Sequence, residues 1–271
     1  MSYRYKLKIQ YDGTNFLGYQ IQPNGRTVQG DIEKSLKIMS KGYTIKSRSA
    51  GRTDSGVHAF GQVIHFDYPS PIPAENLLRA LNSLTEDDIA ILEAEEVTDA
   101  FHAQYGAKGK KYQYRVDTNQ VVSPFKRLYA LHHPYPVHMD RLETALKDIV
   151  GTHDFSSFCA SHSGKENKVR TVYEASVARD EEKGELLFTF RGDGFLYNMV
   201  RIFVGTLLQI TNGLRPENDI QRILEAKDRN AAGPTAQPQG LYMAEVYYDK
   251  KEAVKGTVYE KNEETSGKLT E

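Results

Sequence analysis

The stretch GDGFLYNMVRIFVGTLLQITNGL, residues 192–214, constrains the fold more than any other in the chain. From Gly194 to Leu214 its one charge is Arg201, and Met199, Val200, Ile202, Phe203 and Val204 leave no side of a helix polar. A helix that is apolar all round is a buried one. The spacing predicts it from about Phe195 to Gly213. Nowhere does an apolar run reach the roughly 20 residues of a membrane span, so the cover must come from other elements of the protein. Arg201 adds a second demand. Its guanidinium does not lose its proton, and burying it without an acceptor costs several kcal/mol. Two solutions remain open: pairing with a carboxylate held in the core, or else surfacing at one edge or bonding backbone carbonyls. If the acid is Asp54, the arginine would keep that carboxylate ionised and aimed.

Elsewhere strand and helix patterns alternate. Tyr3, Tyr5, Leu7, Ile9 and Tyr11 alternate with polar residues and predict a half-buried strand ended by Asp12-Gly13. Thr27 is placed to cap a helix with the apolar face Val28, Ile32, Leu36 and Met39. Further strands are predicted at 62–66, 89–92 and 111–116, with a helix over 74–83. In the second half, Leu142, Ala145, Leu146 and Ile149 mark a helix ending at Gly151, followed by strands at 171–178 and 186–191 around the turn DEEKG and a last strand at 241–248. The order predicts an α/β or α+β protein with helices packed on a sheet. Its two similar halves suggest an N-terminal lobe, 1–105, and a C-terminal lobe, 106–249. Residues 250–271 are charged and poor in large apolar side chains, and predict a mobile tail.

The totals fit a soluble protein: 271 residues, 39% hydrophobic and 26% charged, enough for one large core or two modest ones. The single cysteine, Cys159, excludes an internal disulfide and a four-thiolate zinc site, and points to a reducing compartment, the cytoplasm. The opening MSYRYKLKIQYDG does not read as a signal peptide. A net charge of −1 hides an uneven distribution. Lys108, Lys110, Lys111, Arg115, Lys126 and Arg127 face the single acid Asp117, with tyrosines between them. Such a segment suits RNA, cations meeting phosphates and rings meeting bases; it also suits a solvated strand face.

Residues 49–59, SAGRTDSGVHA, place Asp54 beside Arg52 among glycines. Asp and Gly are ordinary turn residues. The same composition also lets a ligand backbone come close while the arginine handles phosphate. His58, His65 and His102 are read as structural hydrogen-bonding residues, two donors on one strand being thin evidence for a metal. Phe155 and Phe158 are read as core aromatics.

IQYDGTNFLGYQ, TVQGDIEKSL, SAGRTDSGVHAFGQVIHF, FHAQYGAKGKKYQY, GTHDFSSFC, RGDGFLYNMVRIFVGTLL and AAGPTAQPQGLYM together resemble the tRNA pseudouridine synthase A family, over residues 3 to about 248. The resemblance implies an isomerase that converts uridine to pseudouridine in the anticodon stem-loop of tRNAs, at positions 38, 39 and 40 of the RNA. It implies two α/β lobes sharing a mainly antiparallel sheet with a central active-site cleft. It makes Asp54 the nucleophile, Tyr112 the residue that holds the flipped base, Arg52 an RNA contact, Arg201 the partner of the aspartate, and Leu241 a wall of the uracil pocket. Neither cofactor nor metal is implied, and the partners are tRNA and a second copy of the chain. One departure is Tyr19, where relatives often carry tryptophan.

Three rivals stand against this assignment. A non-catalytic RNA-binding protein has no use for an acid paired with a buried arginine. A glycosidic hydrolase needs two catalytic carboxylates, and neither Asp67 nor Asp193 lies in a context that suggests a raised pKa. A uridine modifier of another RNA would use the same residues.

Overall fold

In the computed structural model, which describes residues 2–161, 164 and 166–260, the opening alternation becomes strand β1 (Tyr3–Tyr11). Tyr5, Leu7 and Ile9 are wholly buried, as the period of two requires. β1 lies between β3 (His58–Tyr68) and β4 (Ile89–Val97), antiparallel to both, with Leu7 opposite Ile64 and Ala94. β4 runs past the predicted Leu92 because its acids face the lysines of β1: Glu93 pairs with Lys8 and Glu95 with Lys6, each at 3.1 Å. The other edge of β3 is shared between β2 (Ser47–Ser49), which pairs at Ile64–Phe66, and β10 (Leu241–Tyr247), which runs parallel to it at His58 and Ala59. Helix α1 (Val28–Met39) is capped by Thr27, whose hydroxyl accepts from Gly30 N, and it packs against α2 (Ala74–Leu84), which lies on β4.

These elements form one compact unit, the chain through Ala107 together with Tyr242–Val246. The second unit comprises Lys108–Leu241 and the chain from Tyr247 onward. Of β10, Leu241 and Tyr247 belong to the second unit and Tyr242–Val246 to the first.

In the second unit β5 (Gly109–Asp117), β9 (Glu185–Gly192), β8 (Val169–Asp180) and β7 (Gly151–Asp154) pair antiparallel in that order, and the short β6 (Leu131–His132) runs parallel to the end of β5. Helix α3 (Met139–Lys147) packs on α4 (Met199–Thr211) and β8, and α5 (Asp219–Ala226) follows. α4 starts at Met199 rather than Phe195, because Asn198 stands in the left-handed region at φ 61° and breaks the helical run before it. From there it is buried on every side, as its composition demanded. Phe203 at its centre meets Phe155, Phe158 and Phe190 with ring centroids 4.8–5.6 Å apart, so the phenylalanines of HDFSSFC are core residues.

The start of the expected tail is a short helix, α6 (Lys250–Val254), whose Ala253 and Val254 are buried beside Tyr173 and Tyr247. Residues 261–271 lie outside the described residues. Within each unit the strands are mainly antiparallel and helices pack on them, an α+β arrangement. Among the described residues no helix is long and apolar enough to cross a membrane.

Candidate active site

Asp54 sits on the loop between β2 and β3, and main-chain bonds fix that loop from several directions. Ala50 N donates to Val63 O (2.8 Å), and the Gln62 side chain donates to Gly51 O (2.7 Å). Across the gap, Tyr19 N donates to Thr53 O (3.0 Å) and Gly56 N to Phe16 O (3.3 Å). The turn itself closes from Val57 N to Asp54 O (3.1 Å), with Gly56 at φ +75°. Gly18 comes so close that a Cβ there would stand 2.6 Å from Thr53 O, and its own φ is +94°. Both glycines are needed for conformation and approach. Below the loop, the buried Tyr11 hydroxyl shares a 2.8 Å hydrogen bond with Thr53 Oγ1, and burial pushes the phenol up to about 12. The outcome is a half-buried carboxylate on a carrier that cannot shift without breaking several backbone bonds.

Arg52, two residues earlier, is exposed. With Arg48, Tyr19, Gln29 and Gln104 it lines a pocket of about 140 Å³. His58, beyond the turn, has Nδ1 3.0 Å from Gly13 N and its ring stacked on Tyr242 at 4.8 Å. It anchors the 12–14 turn to β3, the structural role expected of it.

In the second unit, Tyr112 lies on β5 opposite Phe190, with 9% of its surface exposed. Its ring meets Phe195 edge-on at 5.1 Å. Arg201 Nε donates to Ala236 O (2.7 Å), Nη1 donates to Asn198 Oδ1 (2.9 Å), and Ala236 N donates back to Arg201 O (3.0 Å). The carbonyl contact foreseen as one of two solutions is thus present. The buried Tyr114 hydroxyl donates to Gln237 O at 2.6 Å, and burial pushes that phenol far above its ordinary range. Arg201 and Tyr114 thereby grip adjacent residues of one segment, 236–237, which leads through the turn Pro238–Gly240 to Leu241, 6% exposed at the head of β10. Sequence reasoning singled out Leu241 but missed Ala236, Gln237 and Phe195. The proline and glycine density of AAGPTAQPQG was the available signal of a fixed segment.

Two expectations change. The basic segment is partly neutralised: Arg115 pairs with Glu185 at 2.7 Å, and Lys126 meets Glu185 at 2.9 Å and Asp117 at 3.5 Å. Burial alone would push the Glu185 carboxyl up, but the bonds from Arg115 and Lys126 outweigh it and hold the group below its usual range. Glu185, seventy residues away in sequence from Arg115, was invisible to a local count of charges. The other change concerns Asp193. Asp67 accepts both arms of Arg4 (2.7 and 2.9 Å) and its carboxyl is held low. The Asp193 carboxyl, although it reaches the surface, is pushed above its ordinary range by the protein packed against it, despite the bond from Thr171 N (3.0 Å). Among the described residues no group of three or more His, Cys, Asp or Glu side chains converges to hold a metal.

A family model described as tRNA pseudouridine synthase matches residues 8–106 and 145–249. Similar curated proteins carry the name tRNA pseudouridine synthase A. That of Latilactobacillus sakei is 53% identical over 92% of this chain and 100% of its own length. That of Lacticaseibacillus casei is 56% identical over 90% of this chain and 99% of its own. That of Streptococcus agalactiae is 49% identical over 92% of this chain and 96% of its own.

Proposed function

The chain belongs to the tRNA pseudouridine synthase family, and we propose that Asp54 is the carboxylate with which it works on a flipped-out uridine. The reaction is the isomerisation of uridine to pseudouridine in tRNA. The N1–C1′ bond breaks, the uracil turns, and a C5–C1′ bond forms. The hydrogen lost from C5 is balanced by one gained at N1, so no electrons enter or leave and no redox partner is required.

The observation that carries the role of Asp54 is its carrier. A nucleophile must meet a reacting atom at near-contact distance without reorganising, and a turn held by backbone bonds on both flanks supplies that. Asp54 attacks C1′, adds to the ring, or removes a sugar proton; each route uses the same carboxylate. The base must first leave the stack. Arg52, exposed beside Asp54, contacts the RNA or fills the space the nucleotide vacates. Tyr112 holds the base, with its hydroxyl available for proton transfer at C5. Leu241 gives the uracil a dry wall. Arg201 keeps the carboxylate ionised. The uridines are those at positions 38, 39 and 40 of the anticodon stem-loop, and the enzyme works as a homodimer in the cytoplasm.

The test uses an unmodified tRNA transcript tritiated at C5 of uridine, incubated with wild type and Asp54→Asn. Tritium release by wild type alone is the expected outcome. Release by Asp54→Asn at the wild-type rate would remove Asp54 from the chemistry. Free uracil among the products would point instead to hydrolysis of the glycosidic bond.

A further inference from the structure

A second pocket of the N-terminal unit, about 390 Å³, is lined by Lys46, Arg48, His65, His102 and Tyr105, with the Arg4–Asp67 pair beside them. Its size falls in the range of ligand pockets. Strand alternation on β2 sends Arg48 to the side opposite the buried Ser47, and Lys46, just before the strand, is exposed as well. The charges there are unequally engaged. Asp67 is occupied by Arg4, and Lys46 meets Glu33 at 3.1 Å. The Arg48 guanidinium is exposed, and among the described residues it makes no hydrogen bond or ion pair.

Beside it stands an aromatic platform. Tyr105 is 78% exposed and stacks on His102 with centroids 4.3 Å apart and planes 29° from parallel. A tight turn holds the stack: His102 Nδ1 accepts from Gln104 N (3.1 Å) and Tyr105 N (3.2 Å), and Gly106 N donates to His102 O (2.8 Å). His65 Nδ1 accepts from Ala103 N (3.2 Å) and its ring lies 4.7 Å from that of His102. With both Nδ1 atoms accepting, each imidazole carries its proton on Nε2, as a neutral donor. Burial, then the charges of Arg48 and Arg4, hold His102 below its ordinary range. The field in this groove is positive. Arg48 also lines the smaller pocket with Arg52, so cations lead from the Asp54 loop into the groove.

We propose that this groove is a second RNA contact, in which Arg48 holds a backbone phosphate and Tyr105 stacks an unpaired base outside the nucleotide being modified. An uncommitted arginine suits a phosphate. A solvent-facing ring fixed on one side by an imidazole suits a base on the other. The inference rests on the reading of the chain as an enzyme of tRNA.

The experiment measures binding of a fluorescent unmodified tRNA transcript to the full chain over a range of salt, alongside steady-state turnover. Arg48→Ala is expected to weaken binding about tenfold and to lower the slope of log Kd against log salt by about one, the signature of one lost phosphate contact. Tyr105→Leu is expected to weaken it about tenfold, and Tyr105→Phe, which keeps the stack, by less than about twofold. The losses fall on KM rather than kcat. A folded-state check is built in: on saturation with RNA, the His102 imidazole of wild type rises in pKa by NMR, because a phosphate enters its field. Wild-type affinity and salt slope in both Arg48→Ala and Tyr105→Leu would overturn the proposal, as would a His102 titration unmoved by RNA. Failure of the parent reading looks different: tRNA binds but no uridine turns over, and the binding arms still decide the groove.

Discussion

Removing one oxygen atom, by Tyr114→Phe, tests whether the segment that delivers Leu241 is held as described. The ring is wholly buried on β5, so phenylalanine keeps its packing and only the 2.6 Å bond to Gln237 O is lost. A net hydrogen bond contributes about 0.5–1.5 kcal/mol, and an acceptor left without its donor costs about 1–3 kcal/mol. Gln237 O is only partly shielded from solvent, so the lower part of that range applies, about 1–2 kcal/mol. For a unit of this size each kcal/mol moves the melting temperature by roughly 2–4 °C, giving an expected fall of about 2–8 °C. The same loosening reaches Leu241 four residues on, and about 1 kcal/mol of lost positioning corresponds to a roughly fivefold drop in turnover. Thermal melting followed by circular dichroism, and tritium release from the tRNA transcript, read the two effects. A variant that melts and turns over like wild type would show that the bond does not hold the segment, and the reasoning that ties Tyr114 to Leu241 would fail with it.

Gly18→Ala should reach the Asp54 loop from the other side. A Cβ at φ +94° and 2.6 Å from Thr53 O meets backbone on both counts, so about 1–3 kcal/mol of strain is expected, with turnover falling further than stability; an active, fully stable alanine variant would refute the account of the loop. The pH dependence of stability should carry the mark of His65. Burial lowers this imidazole from 6.5 to about 4 in the fold, so the unfolded chain takes up a proton that the folded one refuses. Its contribution is complete above pH 6.5 and is lost as pH falls toward 4. His65→Asn keeps an acceptor for Ala103 N, and its denaturation midpoints should fall less steeply across that window; parallel curves for variant and wild type would contradict the assignment.

What the sequence revealed follows from the range of the interactions involved. Period-two burial in β1 and the all-round burial of α4 depend on neighbours a few residues apart, and both are legible in a linear string. The start of α4 was misjudged because Asn198 enters the left-handed region, a local choice that apolar spacing does not report. β4 was cut short because EAEE looks like a surface cluster until the lysines of β1 are set beside it. The shift at Asp193 and the neutralisation of Arg115 by Glu185 depend on partners or desolvation supplied by the folded chain, and no count of nearby charges contains them.

The Asp54 loop marks the same boundary from the functional side. Its composition, Arg, Thr, Asp, Ser and Gly, has the look of any turn, and what distinguishes it is a set of backbone bonds to Phe16 and Tyr19, more than thirty residues upstream. Those bonds hold main chain to main chain, so the side chain of Arg52 takes no part in keeping Asp54 in place. The division has a consequence for mechanism. In the proposed mechanism an arginine that follows the RNA strand and a carboxylate that stays still would share one short loop, and a backbone pinned at Thr53, Asp54 and Gly56 would keep the strand's pull on one side chain from reaching the other.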